Sequence, residues 1–294
     1  MSGPSNQAAI LRNLLPPNNR SLVICPGVYD PLTAKIAVKE GYLVVNVELL
    51  GIATTRLGES RLHPISIPVA IRNAVFIPPL LPSTPVIVDL QINTEDPSML
   101  PASVEDCIKA GVAAIQIHDR IAPEQYYPPG GRVVFQREVF YKAIECAVTL
   151  RKNCESNIVI IARTDAQYSH SNQEALDRLT QAIHDGADVA SVGDVTSRED
   201  AGMICSMLQP TPVIYSTDPG TPSVQLTVTQ ASELGFCMIL FPGLAHGSVL
   251  NGMRFAAQSL KETGNQMVAA NYSQNDIDVV LHGERVTGIS RRVP

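Results

Sequence analysis

The chain has 294 residues and a net charge of −6, and 45% of its residues are hydrophobic while 17% are charged. This apolar content excludes wholesale disorder, and the lack of a long basic block excludes the clustered Lys and Arg of a nucleic-acid-binding protein. The charged fraction lies below the roughly 25% that is usual for soluble proteins, which suits a barrel or an oligomer that buries much of its surface.

Signals for targeting, membrane insertion and disulfides are missing from the sequence. Residues 1–20 are polar and have no apolar core of the signal-peptide kind, and no apolar run approaches the roughly 20 residues that span a bilayer. The six cysteines are scattered without a CxxC pair, a pattern typical of buried free thiols in a chain of this length. We therefore expect a cytoplasmic protein that does not bind a membrane.

Short apolar runs rich in β-branched residues alternate with helical patterns along the chain, which is typical of parallel strands covered on both faces. In chain order the predicted elements are strand Leu22–Cys25, helix Pro31–Glu40, strand Leu43–Val47, strand Val86–Asp89, helix Ala102–Ala110, strand Ala114–Ile117, helix Gln136–Lys152, strand Ile158–Ala162, helix Gln173–Asp185, strand Val189–Val192, strand Val213–Tyr215, helix Thr227–Leu234 and strand Met238–Phe241. Eight strands in about 250 residues predict an α/β fold, a (β/α)8 TIM barrel with a C-terminal helical extension. A doubly wound open sheet is the alternative, but it usually has fewer strands and a glycine-rich phosphate turn.

The predicted barrel covers residues 21–264, between an N-terminal arm at 1–20 and a C-terminal tail at 265–294. Two stretches within it are predicted to be irregular. Leu57–Ser83 contains five prolines and is predicted to be a loop across one barrel face. Ile121–Val134 contains Tyr126 among prolines and glycines, which predicts a mobile substrate cover, with a solvated connection as the alternative.

Polar residues follow seven of the predicted strands, at the rim where barrel enzymes place their active sites. They are Tyr29 and Asp30 after the first strand, then Glu48, Asp89 with Gln91, His118 with Asp119, Arg163 with Thr164 and Asp165, Asp194, and Ser216. Each alone is explained as the start of a loop, whereas the whole set around one rim predicts a binding site.

Four segments near these strand ends carry a family resemblance. They are Pro26–Ala34 (PGVYDPLTA), Val86–Asp89 (VIVD), Ile160–Ala166 (IIARTDA) and Asp185–Asp188 (DGAD). With them the chain resembles the isocitrate lyase/phosphoenolpyruvate mutase superfamily, in its methylisocitrate lyase/oxaloacetate hydrolase-like branch, over nearly the whole barrel. The resemblance implies a TIM barrel, a homo-oligomer (dimer or tetramer), and small α-oxycarboxylate substrates bound to Mg²⁺ that react through an enolate.

The implied Mg²⁺ site is retained only in part. Arg61, Gln91 and His118 stand where the family has carboxylates, whereas Asp89 is retained. Because Mg²⁺ prefers hard oxygen ligands, we expect no metal and no other cofactor, with Asp89 as a ligand if the family's Mg²⁺ site survives. Arg61 and Arg163 are then expected to bind the substrate anion. A softer transition-metal site at His118 and Asp89 has too few ligands to be favoured.

The positions implied to bind and convert the substrate also depart from the family. Tyr126 aligns with the catalytic Cys, and Glu48-Leu49-Leu50 replaces the Ser-Gly-Gly turn that binds a carboxylate. The residues predicted to be catalytic are Arg163, His118, Tyr126 and Asp89. Those predicted to bind substrate are Tyr29, Asp30, Glu48, Leu49, Leu50, Arg61, Gln91 and Ser216.

The histidines are interpreted differently from one another. His118 has an ordinary pKa of roughly 6.5, which predicts an acid or base near neutral pH. The others have no partners in the pattern and are interpreted as surface or core residues: His63, His170, His184, His246 and His282.

Three functions are compatible with this divergence. The preferred one is an enzyme acting on a carbonyl or carboxylate small molecule through an enolate-like intermediate without Mg²⁺, by lyase, isomerase or cyclisation chemistry. The alternatives are a Mg²⁺-dependent C–C lyase of 2-oxo or 2-hydroxy acids, and a non-catalytic relative with a binding or scaffold role. The first is preferred because the replaced positions hold other polar or bulky residues, which indicates repurposing.

Overall fold

In a computed structural model the chain closes into an eight-stranded parallel barrel, in which each strand pairs with its neighbours in sequence and β1 pairs with β8. The structure describes residues 6–19, 21–58, 67–92, 98–121, 133–193, 195–217, 223–265 and 272–282. The strands are β1 (Val23–Val28), β2 (Val45–Val47), β3 (Val86–Gln91), β4 (Ala114–His118), β5 (Val159–Thr164), β6 (Val189–Gly193), β7 (Val213–Ser216) and β8 (Met238–Phe241). The predicted (β/α)8 barrel is confirmed.

Helices surround the barrel. They are α1 (Gln7–Asn13), α2 (Pro31–Lys39), α3 (Leu49–Leu57), α4 (Ile67–Ala74), α5 (Met99–Lys109), α6 (Arg137–Asn153), α7 (Ala166–Ser169), α8 (Asn172–His184), α9 (Arg198–Met207), α10 (Val228–Glu233), α11 (Leu244–Thr263) and α12 (Gln274–His282). None of these described helices combines the length and the hydrophobicity needed to cross a membrane.

The barrel interior is apolar at its N-terminal end. Ile87, Val159 and Ile161 point into one buried cluster, and α1 packs Leu11 against it from outside the strands. The buried Gln7 side chain anchors α1, because its amide nitrogen donates to the carbonyl oxygens of Pro78 (3.0 Å) and Leu81 (2.8 Å). This end of the barrel is therefore closed, which favours the other end as the place of a binding site.

The proline-rich stretch Leu57–Ser83 is not the loop that the sequence predicts. Its described part contains α4 and a 3₁₀ turn at Pro78–Leu80. Pro68 lies in the first turn of α4. Backbone N–H groups in the first turn of a helix have no intrahelical acceptor, so the missing N–H of proline costs no hydrogen bond there. Prolines therefore mark the starts of helical segments here. Similarly, α9 was not predicted, although Ser197 caps it by accepting a hydrogen bond from the Asp200 N–H (3.0 Å).

The six cysteines are all free thiols. Four are buried, as the sequence predicts, but Cys146 is partly exposed and Cys154 is exposed at the end of α6. The expectation that all six are buried is therefore wrong for these two, because α6 presents them on or near its outer side.

Candidate active site

A cavity of about 150 Å³ lies where the C-terminal strand ends meet. Its lining contains seven residues that the sequence predicts for the site: Glu48, Leu49, Leu50, Asp89, Gln91, His118 and Arg163. Arg120, Gly243 and His246 also line it and were not predicted. Arg61 and Tyr126 lie outside the described residues, as does Asp194.

Parallel register brings the central polar residues side by side. Gln91 lies opposite His118 across β3 and β4, and His118 lies opposite Arg163 across β4 and β5. Two residues earlier on the same strands, Asp89 lies opposite Gln116. Because alternate residues of a strand face the same side, all of these side chains enter the barrel mouth together.

Asp89 is held by amide donors from both neighbouring strands. Its Oδ1 accepts from Gln116 Nε2 (2.7 Å) and its Oδ2 accepts from Asn46 Nδ2 (3.3 Å). Burial alone would raise the pKa of Asp89, but the neighbouring His118, the charge of Arg163 and the hydrogen bond from Asn46 outweigh burial and lower the pKa. The carboxylate therefore stays ionised, with one protein donor on each oxygen.

His118 is buried beside Asp89, with Nε2 lying 3.9 Å from Asp89 Oδ1. Burial and the positive charge of Arg163 lower the pKa of His118 to about 4. The ring is consequently neutral near pH 7. This pKa lies below the ordinary value of roughly 6.5 on which the predicted acid–base role of His118 near neutral pH depends.

Arg163 supplies a buried positive charge at the cavity. Its Nη1 donates to Ser216 Oγ (3.0 Å), and its Nε lies 3.6 Å from Asp165 Oδ1. Asp165 is fully buried and also pairs with Arg120 Nη1 at 3.5 Å, so one carboxylate serves two guanidinium groups. Ser216 thus contacts Arg163, and it is not among the residues that line the cavity.

The retained Asp119 stabilises the rim and does not line the cavity. It accepts hydrogen bonds from Thr164 Oγ1, from the Asp165 N–H (2.9 Å) and from Arg178 Nη1 (3.2 Å). Burial raises the pKa of Asp119 to about 6. The Arg163-Thr164-Asp165 motif therefore combines one residue at the cavity with two that hold the strand ends together.

Glu48 closes the opposite side of the cavity. The Gly243 N–H donates to both of its carboxylate oxygens, at 2.8 Å and 3.0 Å, and His246 Nδ1 lies 3.4 Å from Oε2. A Cβ at Gly27 would lie 1.8 Å from Oε1, so this glycine makes the room that Glu48 occupies. Burial raises the pKa of Glu48, although the neighbouring His246 and the Gly243 N–H act in the opposite direction by favouring the ionised form.

His246 is one of the cavity residues that the sequence does not predict. The sequence pattern favours a surface or core histidine without a partner, whereas the structure places it beside Glu48 at the cavity. Its position shortly after β8 is the signal that indicates a site residue, since polar residues after the other strands enter the same barrel mouth.

Tyr29 and Asp30 have structural contacts and are not among the cavity-lining residues. Asp30 caps α2, because its Oδ1 accepts from the Thr33 N–H (2.7 Å) and hydroxyl (2.8 Å). Tyr29 is buried against Gly51, where a Cβ would lie 2.8 Å from the Tyr29 Cβ.

Several buried polar atoms around the cavity have no hydrogen-bond partner within the described parts of the chain. They are Asn46 Oδ1, Gln91 Oε1, Gln116 Oε1, His118 Nδ1, Arg120 Nε and Ser191 Oγ. A buried unsatisfied polar atom costs about 1–3 kcal/mol, so such a concentration is typical of a place where a ligand or water supplies the partners.

Known proteins resemble this chain in sequence and in fold. The family model described as phosphoenolpyruvate phosphomutase matches residues 11–261. A 2-methylisocitrate lyase of Aeropyrum pernix is 27% identical over 260 residues, 87% of this chain and 80% of the relative. A 2,3-dimethylmalate lyase of Eubacterium barkeri is 27% identical over 237 residues, 81% of this chain and 80% of the relative. A structure of oxaloacetate acetylhydrolase with the inhibitor 3,3-difluorooxalacetate has a TM-score of 0.86 at 28% identity, and covers 95% of this chain and 94% of its own.

Proposed function

The chain belongs to the phosphoenolpyruvate phosphomutase family, as its strand-end motifs predict, and we propose that it is a diverged enzyme of that family. It acts on a small carbonyl or carboxylate compound through an enolate-like intermediate. The similarity to lyases and to an oxaloacetate acetylhydrolase supports C–C bond chemistry over isomerisation or cyclisation.

The observation that carries this proposal is the buried guanidinium of Arg163 at the cavity, fixed by Ser216 and Asp165. A fixed positive charge stabilises oxyanion charge as it develops, without having to reorganise. Arg120 adds a second guanidinium on the same side. An enolate or carboxylate oxygen is therefore bound at this side of the cavity.

Mg²⁺ does not fit the donor set that the described residues offer. Both Asp89 oxygens already accept amide hydrogen bonds, and Arg163 places a positive charge nearby. No group of three His, Cys, Asp or Glu side chains in the described ranges is arranged to hold a metal ion. The proposed reaction therefore uses Arg163 in place of a metal.

The remaining predicted residues determine which ligand fits the cavity. Leu49 and Leu50 form an apolar wall beside Glu48, which favours a ligand with an apolar group at this position. Gln91 and neutral His118 offer hydrogen bonds at the centre. Arg61 and Tyr126 keep their proposed roles as anion ligand and oxyanion donor.

The protein is also proposed to be a homo-oligomer, a dimer or tetramer. Every residue of α11 is at least partly exposed, and this helix carries large apolar side chains: Leu244, Val249, Leu250, Met253, Phe255 and Leu260. A second copy of the chain is the proposed cover for such a patch. Sedimentation equilibrium is expected to give a dimer or tetramer, and a monomer at micromolar concentration would contradict this.

The test combines a substrate panel with metal titration. We expect C–C cleavage of at least one compound among 2-methylisocitrate, 2,3-dimethylmalate and oxaloacetate or their longer-chain analogues, followed by NMR in the presence of EDTA. Calorimetry with Mg²⁺ and Mn²⁺ is expected to show no stoichiometric binding. Tight binding together with metal-dependent turnover would instead indicate the Mg²⁺-dependent lyase, and failure on every compound would indicate the non-catalytic relative.

A further inference from the structure

We propose that His246 is the residue that exchanges a proton with the substrate, and that Glu48 positions it. This inference rests on the enolate chemistry proposed above and adds the acid–base group that such chemistry needs. The two residues line the same cavity as Arg163 but come from other parts of the rim: Glu48 lies between β2 and α3, and His246 lies in the first turn of α11.

The geometry is that of an imidazole oriented by a carboxylate. His246 Nδ1 lies 3.4 Å from Glu48 Oε2, which directs the Nδ1 proton to Glu48 and assigns the exchanged proton to Nε2. The carboxylate is itself held by the Gly243 N–H. A carboxylate that fixes the tautomer and stabilises the imidazolium is the arrangement that activates histidine bases on unrelated folds.

Burial divides the roles between the two side chains. The Glu48 side chain is only 7% exposed, whereas the His246 side chain is 32% exposed and thus accessible to a ligand. A buried carboxylate is costly to keep away from water unless it is paired. Glu48 occupies the space that a Cβ at Gly27 would fill. A role in holding the His246 ring in one orientation explains this placement.

His118 is less suited to the same task. It is buried on the Arg163 side, and its Nε2 lies near Gln116 Nε2 (3.2 Å) and Asp89 Oδ1 (3.9 Å). Stabilising a positive charge there would work against the neighbouring Arg163. The cavity thus has an anion-binding side at Arg163 and a proton-transfer side at Glu48 and His246.

Other titratable groups act on this pair. Asp89 of β3 adds negative charge that interacts with Glu48, and the buried Cys25 thiol of β1 lies within reach of both carboxylates. Glu48 is the carboxylate that lies beside His246, and its negative charge stabilises the positive charge that the ring carries after it accepts a proton.

The proposed step balances without a further reactant. Neutral His246 takes a proton at Nε2 from the carbon beside a substrate carbonyl, and the C–H electron pair becomes the C=C bond of the enolate. The carbonyl electron pair moves to the oxygen, which Arg163 stabilises. Return of a proton from Nε2 to the same carbon reverses the step, and in D₂O it leaves a deuteron there.

The experiment follows deuterium incorporation into pyruvate, 2-oxobutyrate and oxaloacetate by NMR, using the full chain with EDTA. His246→Gln is expected to slow exchange by about 100-fold or more, the usual contribution of a general base. Oxalate, a planar dianion that needs no proton transfer, should bind this variant within about threefold of the wild type. The matched control is His184→Gln on α8, a side chain 80% exposed, which should exchange at the wild-type rate.

Glu48→Gln tests the positioning role. It is expected to slow exchange less than His246→Gln does and to move the acidic limb of the pH–rate profile to lower pH, since the imidazolium loses a neighbouring negative charge. Added imidazole should partly restore exchange to a His246→Gly variant. Equal stability of the variants in thermal unfolding separates these effects from misfolding.

The outcomes separate the two proposals. A wild-type protein that exchanges none of the three acids overturns the proposed function, and this inference with it. If the wild type exchanges deuterium and the His246→Gln and His246→Gly variants do so within about threefold of its rate, the inference about His246 is overturned and the proposed function is not.

Discussion

The two ends of the barrel interior differ sharply although they are built from the same strands. Ile87, Ala114 and Ile161 belong to the apolar cluster at the closed end. Two residues further along their strands, Asp89, Gln116 and Arg163 carry polar side chains into the cavity region. The same alternation of the pleat thus supplies a core at one end and a site at the other.

Stability and function are divided between the two ends of the barrel. Apolar burial at the closed end stabilises the fold, whereas polar atoms that are buried at the open end without a hydrogen-bond partner among the described residues cost about 1–3 kcal/mol each. A protein retains such atoms where a ligand completes their hydrogen bonds. Changes at the closed end should therefore alter stability alone, and changes at the open end should alter ligand binding and turnover.

The largest expected effect is at the open end. Arg163→Ala should lower turnover by about 100- to 1,000-fold, as the loss of a fixed oxyanion donor does elsewhere. The control is Arg198→Ala, an exposed guanidinium on α9 that pairs with Glu233. Steady-state kinetics on the best compound of the panel measures both, and equal turnover by the two variants would remove Arg163 from the reaction.

A change at the closed end should show the opposite pattern. Ile161→Ala removes a fully buried side chain next to β4 and should lower the free energy of unfolding by about 2–5 kcal/mol. Oxalate affinity should stay within about threefold of the wild type, because no cavity contact is lost. Urea unfolding and calorimetry measure the two quantities, and a large loss of affinity would mean that the two ends are coupled.

His118 and Asp119 should affect the pH dependence of the free energy of unfolding in opposite directions. The folded pKa of His118, about 4, lies below its unfolded value, so the unfolded chain binds the proton first and stability falls as the pH drops from about 6.5 to 4. The loss amounts to about 3 kcal/mol, and His118→Gln should abolish it. A variant that follows the wild-type curve in urea unfolding would contradict the buried neutral ring.

Asp119 acts in the opposite direction over an overlapping range. Its folded pKa of about 6 lies above the unfolded value, so it favours the folded state at low pH and this contribution fades as the pH rises through 6. The wild-type curve is therefore flatter than either residue alone would make it, and Asp119→Asn should steepen the acid loss.

The smallest expected effect is at Ser191. Its buried hydroxyl lacks a hydrogen-bond partner among the described residues, so Ser191→Ala should leave the free energy of unfolding within about 1 kcal/mol of the wild type or raise it. Paired with Ile161→Ala, it compares the loss of a polar atom at the open end with the loss of apolar volume at the closed end. A loss above about 2 kcal/mol in urea unfolding would show that the hydroxyl is satisfied in the folded protein.

The sequence predicts the barrel well because its strands are continuous apolar runs, fully buried in β4 and β5. It predicts the central site residues because polar side chains at successive strand ends must converge. The partnership of Glu48 with His246 depends on closure of β1 against β8, which joins residues from opposite ends of the chain. The low pKa of His118 depends on its burial beside Arg163, which no local pattern reveals.

The open end is proposed to stabilise an enolate with Arg163 and without Mg²⁺. The most direct test follows deuterium exchange into 2-oxo acids by the wild-type protein, first with EDTA and then with excess Mg²⁺. The predicted result is that exchange occurs with EDTA present and that its rate changes by less than about twofold when Mg²⁺ is added. The reason is that the Arg163 guanidinium supplies the positive charge. Exchange that begins only when Mg²⁺ is added would contradict the account.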